Sequence, residues 1–175
     1  MTTPSASQNP VALVTGGSAG LGRALAHSLA DDGWTVVVDG RDAARLEAAV
    51  AGRAGIVAMP GDLTDGAHRT ELVQAVRRLG SLDLLVHNAS ALGPTGHDTW
   101  LPPLAEVTVD YLQQIWRANI GGPLVLTNLL LEDLVRSGGV LLGISSDAAV
   151  EHYPGWGLYG ASKAALDHVV QTYSA

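Results

Sequence analysis

Cysteine is absent from the 175 residues, which excludes disulfide frameworks and thiolate chemistry and leaves the redox compartment open. Lysine is nearly absent: a single Lys, Lys163, stands against nine Arg, and the excess of acids gives a net charge of -7 and a pI near 5.1. The clustered cations that grip nucleic acid or an anionic membrane are therefore missing, and neither partner is expected. An anionic cofactor is not excluded, because it needs only local dipoles and a single Arg. No apolar run approaches the ~20 residues of a membrane span. The first residues, Met1 to Pro10, are polar and rich in Ser, Thr and Pro, with neither a basic nor an apolar segment. They read as a disordered lead-in over residues 1–9, not a signal peptide, and the expected setting is cytoplasmic. The six His fall on separate elements without ligand spacing, so no metal site is expected.

What is present is the composition of one globular domain, residues 10–175, long enough to bury ~70% of its unfolded surface. Val11 to Val14 reads as a short apolar strand. It runs into Thr15-Gly16-Gly17-Ser18-Ala19-Gly20-Leu21-Gly22 and a helix through Leu29. Strand, glycine-rich turn and helix form a place where backbone N–H groups can face a phosphate. Gly16 suits the tight turn, Gly20 lets a pyrophosphate reach the helix start, and Gly22 permits close helix-to-strand packing. Further strands are expected at Trp34–Val38, Ile56–Met59, Leu82–Val86 and Val140–Ile144. Helices are expected from Asp42 to about Val50, from Ala67 to Leu79, from Thr108 through Leu134, and from about Trp156 onward. Strands alternating with helices over short connections mark an α/β fold with a doubly wound parallel sheet, of Rossmann type. Pro123 has no N–H for the carbonyl of Asn119 and its ring crowds that group, so a bend is expected inside the long helix.

Tyr159 and Lys163 lie four residues apart near the end of the sequence. On a helix they share a face, and a cation beside a phenol stabilises the phenolate, which makes a Tyr usable as a general acid and base. Alone, Y-x-x-x-K is a weak signal that many surface helices carry.

Several features in register resemble the classical short-chain dehydrogenase/reductase family. The turn reads T-G-x-x-x-G-x-G over Thr15 to Gly22, Asp62 ends the third strand and Asn88-Ala89 ends the fourth. Asn119 sits in the long helix, Ser146 follows 27 residues later, and Tyr159 stands 13 beyond that, a gap that selects Ser146 over Ser145. The resemblance implies hydride transfer between a nicotinamide cofactor and a carbonyl or alcohol substrate. In it Tyr159 is the general acid and base and Lys163 lowers the phenol's pKa and binds the nicotinamide ribose. Ser146 holds the substrate oxygen, and Asn119 holds a water leading from Lys163 to solvent. It also implies cofactor contacts at Thr15, Gly16, Ser18, Gly20, Leu21, Gly22, Asp62, Leu63, Asn88 and Ala89, with Asp62 accepting from the adenine amino group. A homodimer or homotetramer through the long helix and the last helix is implied as well.

The cofactor is expected to be NADP(H) in preference to NAD(H). Asp39 nearly fits the acid found ~20 residues beyond the glycines that binds a ribose 2′-hydroxyl, which favours NAD. In family register, however, the deciding position is Gly40, and Arg41 beside it suits a 2′-phosphate. Alternation along the strand can turn Asp39 away from the ribose. Trp156, three residues before Tyr159, is either a pocket wall or a packing residue; His97, Trp100 and His152 lie in the neighbouring loops. Family members continue well past the helix of Tyr159, so the chain is expected to lack the last strands and the substrate-covering segment. Two readings stay open: an oxidoreductase, or a non-catalytic dinucleotide-binding or assembly subunit.

Overall fold

The computed structural model describes residues 9–94 and 101–173. Residues 1–8, and with them almost all of the lead-in, lie outside the described residues, as do His97 and Trp100. Five strands form one parallel sheet in the order β3-β2-β1-β4-β5. They are β1 Val11–Val14, β2 Thr35–Gly40, β3 Ile56–Pro60, β4 Leu84–His87 and β5 Val140–Gly143. The chain winds outward from β1 to β3, then returns to place β4 on the other side of β1. That reversal opens a crevice above β1 and β4, at the carboxyl ends of the strands.

Alternation along the strands builds two cores, one on each face. Leu13, Val37 and Leu85 meet Leu72, Val73 and Val76 of α3 (Gly66–Leu79) and Leu126, Leu130 and Leu134 of α5 (Gly122–Ser137). Ala12, Val14, Val36, Val38 and Val86 point the other way, toward Ala26 of α1 (Gly20–Asp31) and Leu46 of α2 (Ala43–Val50). Because both faces are covered, the strands are continuously apolar rather than half polar. The two edge strands are the exceptions: among the described residues β5 pairs only with β4 and β3 only with β2, and Val140, Leu142 and Val57 are exposed.

Several boundaries differ from the sequence expectation. β2 runs two residues further, because Asp39 and Gly40 stay in register with Met59 and Pro60 of β3. β4 begins at Leu84, since the carboxylate of Asp83 turns back to accept from the N–H of Val11 at 2.8 Å. The expected bend in the long helix is a π turn over Arg117–Gly121, between α4 (Val109–Trp116) and α5. The N–H of Gly122 reaches the carbonyl of Arg117, one residue further back than in an α-helix. The widened turn absorbs the donor that Pro123 lacks. α6 spans Gly157–Thr172, with Trp156 just before its first turn. Among the described residues no helix is long and apolar enough to cross a membrane.

Candidate active site

The glycine-rich turn is braced from below by two strands. Thr15 is fully buried; its hydroxyl donates to the carbonyl of Val86 and accepts from the N–H groups of Asn88 and Ala89, at 3.1–3.2 Å. Asn88 returns the contact, its amide donating to the carbonyls of Thr15 (2.9 Å) and Gly16 (3.1 Å). Gly16 has φ +74, a left-handed conformation that favours glycine, and its N–H donates to Asp39 Oδ1 at 2.6 Å. A Cβ at Gly22 would collide with the Asn88 side chain and the Gly16 carbonyl. The turn is therefore held by its lower side, and its upper side faces an open cleft of about 640 Å³.

Of the expected cofactor contacts, Gly16, Ser18, Arg41, Asp62, Leu63, Asn88 and Ala89 line this cleft. Thr15, Gly20, Leu21 and Gly22 are not among its walls: Thr15 and Gly22 support the turn from beneath, Gly20 opens α1, and Leu21 points outward, 58% exposed. Asp62 also closes its own turn, accepting from the N–H of Thr64 at 2.8 Å. A second wall comes from α4 and the π turn, with Asp110, Gln113, Gln114 and Arg117. Sequence reasoning missed these four. Their spacing of i, i+3, i+4, i+7, opposite the buried Tyr111 and Ile115, is a polar helical stripe that could have revealed them.

Asn119 connects this cleft to α6. Within the π turn its side chain is 1% exposed and committed at both ends. Oδ1 accepts from the N–H of Ala91 at 2.7 Å, while Nδ2 donates to the Ala91 carbonyl and to Ser162 Oγ, each at 2.9 Å. Ser162 in turn donates to the carbonyl of Tyr159 at 2.7 Å. Ser162, buried between the two, was not anticipated from the sequence. Lys163 is also buried, at 2% exposure, and its ammonium donates to the carbonyl of Ile144 just past β5. Burial pushes the Lys163 pKa down, with the nearby Asp167 pulling it back. Burial also lowers His87, at the end of β4, to about 4, with the charge of Lys163 adding to the effect. The His87 ring is bonded to Thr127 Oγ1 at 2.7 Å.

Ser146 caps a short 3-10 turn, Asp147–Ala149, that packs against α6 where Gly160 leaves no room for a Cβ. Its hydroxyl accepts from the Ala148 N–H and donates to Asp147 Oδ1, both at 3.2 Å. Ser145 is engaged elsewhere, donating to Asp167 at 2.6 Å. Trp156 meets the Tyr159 ring edge-on at 5.7 Å and Tyr153 at 6.5 Å, so it packs directly against the candidate acid/base. His152 is exposed in the same loop. Ser146, Tyr159 and Lys163 do not line the glycine-rich cleft; of the three, Tyr159 is linked to it, by its backbone carbonyl through Ser162 and Asn119.

Residues 10–175 match the family model for short chain dehydrogenases. Among similar curated proteins is the short chain dehydrogenase penD of Penicillium thymicola, 36% identical over 167 residues. That match covers 89% of this chain and 59% of the relative. A serine 3-dehydrogenase of Agrobacterium fabrum is 35% identical over 158 residues, covering 88% of this chain and 60% of that protein. Among solved structures, a short-chain dehydrogenase from Streptomyces avermitilis superposes with a TM-score of 0.85 at 30% identity, over 95% of this chain and 60% of the other. The serine dehydrogenase of Escherichia coli gives 0.81 at 25% identity, over 93% and 74%. The chain spans about 60% of the length of the first two relatives.

Proposed function

The chain belongs to the short-chain dehydrogenase family, and from that premise we propose that it is the nucleotide-binding and proton-transferring part of an NAD(P)-dependent oxidoreductase acting on a carbonyl or alcohol. The observation that carries this is the hydrogen-bonded chain from Ala91 through Asn119 and Ser162 to the backbone of Tyr159. It ties the wall of the cleft to the turn of α6 that carries both Tyr159 and Lys163.

The cleft suits a dinucleotide: the turn at Gly16 and Gly22 leaves no room for a Cβ and presents backbone, and Arg41 adds a cation at the rim. The nicotinamide, when bound, supplies or accepts the hydride. The protein's part is the proton and the oxygen. On reduction the Tyr159 hydroxyl gives its proton to the carbonyl oxygen; on oxidation the phenolate takes it from the alcohol. Ser146 donates to that same oxygen as negative charge develops on it. Lys163, one helical turn away on α6, binds the nicotinamide ribose in this reading. The Asn119 side chain is committed to Ala91 and Ser162, so its water-holding role falls to its backbone carbonyl.

NADP(H) is the preferred cofactor in this reading. Gly40 stands at the corner where an acid would meet the ribose, Arg41 follows, and Asp39 is turned inward onto Gly16. The exposed Val125, Leu129 and Val135 of α5 support assembly into a homodimer or homotetramer. A second reading, a nucleotide-binding subunit without turnover, is favoured by Ser146, Tyr159 and Lys163 lying outside the walls of the cleft.

Fluorescence titration with NADPH and NADH, followed by a panel of carbonyl compounds, separates the two. The expected result is tighter NADPH binding, weakened about tenfold or more in Arg41→Ala by loss of charge-assisted bonds, and turnover abolished by Tyr159→Phe with binding retained. Binding without turnover in the wild type would select the second reading, and failure to bind either nucleotide would sink both.

A further inference from the structure

We infer that His68 is a positioning residue that holds the carboxylate of Asp39 beneath the glycine-rich turn and thereby sets the preference between NADP(H) and NAD(H). The inference rests on the nucleotide-binding reading above and deepens it.

Asp39 shares a strand face with Val37, the face covered by α3, so its carboxylate enters an otherwise apolar layer. It is 2% exposed, yet it borders the cleft. Two groups answer it there. Gly16 donates its N–H to Oδ1 at 2.6 Å, and His68 Nε2 stands 3.5 Å from Oδ2. His68 is itself 4% exposed, and its ring lies so tightly under Gly61, at the end of β3, that a Cβ on that glycine would strike the imidazole. Neither ring nitrogen has a hydrogen-bond partner among the described residues. The nearest polar atoms left to the ring are carboxylate oxygens: Asp39 on one side, and Glu71 Oε2 at 3.9 Å from Nδ1 on the other.

A buried ring N–H without a partner is unfavourable, and so is a buried carboxylate short of donors. Each group explains the other. With His68 in place, Asp39 keeps to the floor of the cleft, and the corner formed by Gly40, Ser18 and Arg41 carries only the positive charge of Arg41. A Cβ at Gly40 would meet Ser18 at 3.3 Å, so an acid there would stand at that corner, and the sequence has none. Without His68, Asp39 loses one of its two partners, and the open cleft is the nearest water. A carboxylate turned into the cleft repels a 2′-phosphate and can accept from a 2′-hydroxyl.

The test is nucleotide titration of four proteins: wild type, His68→Leu, Asp39→Asn and the double variant, each checked for folding by circular dichroism. His68→Leu is expected to move the ratio of NADPH to NADH dissociation constants about tenfold toward NADH, because like charges are brought together. In the Asp39→Asn background the same change should move it by less than about threefold, since no carboxylate is left to release. His68→Gln, which keeps a buried donor, should hold the wild-type ratio. Equal weakening of both nucleotides by His68→Leu, or a shift that persists without the Asp39 charge, would overturn the inference. Should His68→Leu not fold, Asp39→Asn alone decides: a ratio within about threefold of wild type supports a carboxylate held off the ribose, and a tenfold change refutes it. Wild type favouring NADH, or binding neither nucleotide, would instead bring down the NADP reading on which this rests.

Discussion

Replacing Asn119 by Ala removes three hydrogen bonds of 2.7–2.9 Å, two to the backbone of Ala91 and one to Ser162. Ser162 is fully buried, and Ala91 is half-buried, so water can restore only part of what is lost. At ~1 kcal/mol for each bond the variant should lose about 3 kcal/mol, within the reach of a fold whose stability is of the order of 5–15 kcal/mol. Urea denaturation reads this directly. With a slope of ~1–3 kcal/mol/M, the midpoint should fall by about 1–3 M with the slope unchanged. The loss should overlap with that of Ser162→Ala, because the two share a bond, leaving a coupling of about 1 kcal/mol in the double variant. Nucleotide affinity should fall as well, since Ala91 belongs to the cleft wall. A loss below about 1 kcal/mol, or strict additivity with Ser162→Ala, would refute the role of Asn119 as the tie between cleft and α6.

Three further outcomes are expected. His87 is neutral in the fold down to a pKa of about 4, against 6.5 ordinarily, so the unfolded chain takes up the proton first as pH falls. Stability should be full above about pH 6.5, decline by up to about 3 kcal/mol toward pH 4 and then level off; denaturation across pH should lose that slope in His87→Asn. Gly22→Ala should lower the melting temperature, with ~1–3 kcal/mol of overpacking against Asn88 and Gly16, and should weaken nucleotide binding in the same titration. Leu129→Glu, at a half-exposed position on α5, should leave monomer stability within about 0.5 kcal/mol while reducing the mass measured by light scattering. An unchanged mass would remove that face from the assembly.

The sheet was legible because buried parallel strands are written as short apolar runs, and Val11–Val14 and Val36–Val38 can be little else. The caps were legible too: Asp42 accepts from the Arg45 N–H at 3.0 Å and Thr108 from that of Tyr111 at 3.2 Å. Motif spacing located the residues but not their tasks. Thr15 and Asn88 read as cofactor contacts, whereas much of their bonding capacity goes into bracing the turn, a division that depends on strands 70 residues apart. Pro123 signalled a disturbance near Asn119 correctly, but a bend and a π turn relieve the same missing donor, and local sequence does not choose between them. Ser162 was hidden for a different reason. A small residue on a helix looks ordinary until the partner it meets, 43 positions earlier, is known.

The bond from Lys163 to the carbonyl of Ile144 joins the lone lysine to the strand at the rim of the sheet. Ile144 gives its own N–H to the carbonyl of His87 on the β4 side, so β5 is anchored from within and, among the described residues, unpaired on its outer flank. Strands held on one side open more readily than those held on both. The ammonium is thus suspended from an edge of the sheet. Whatever lies against the outer flank of β5 will stiffen that suspension, and hydrogen exchange at Leu141 and Gly143 would register such a neighbour without any substrate present.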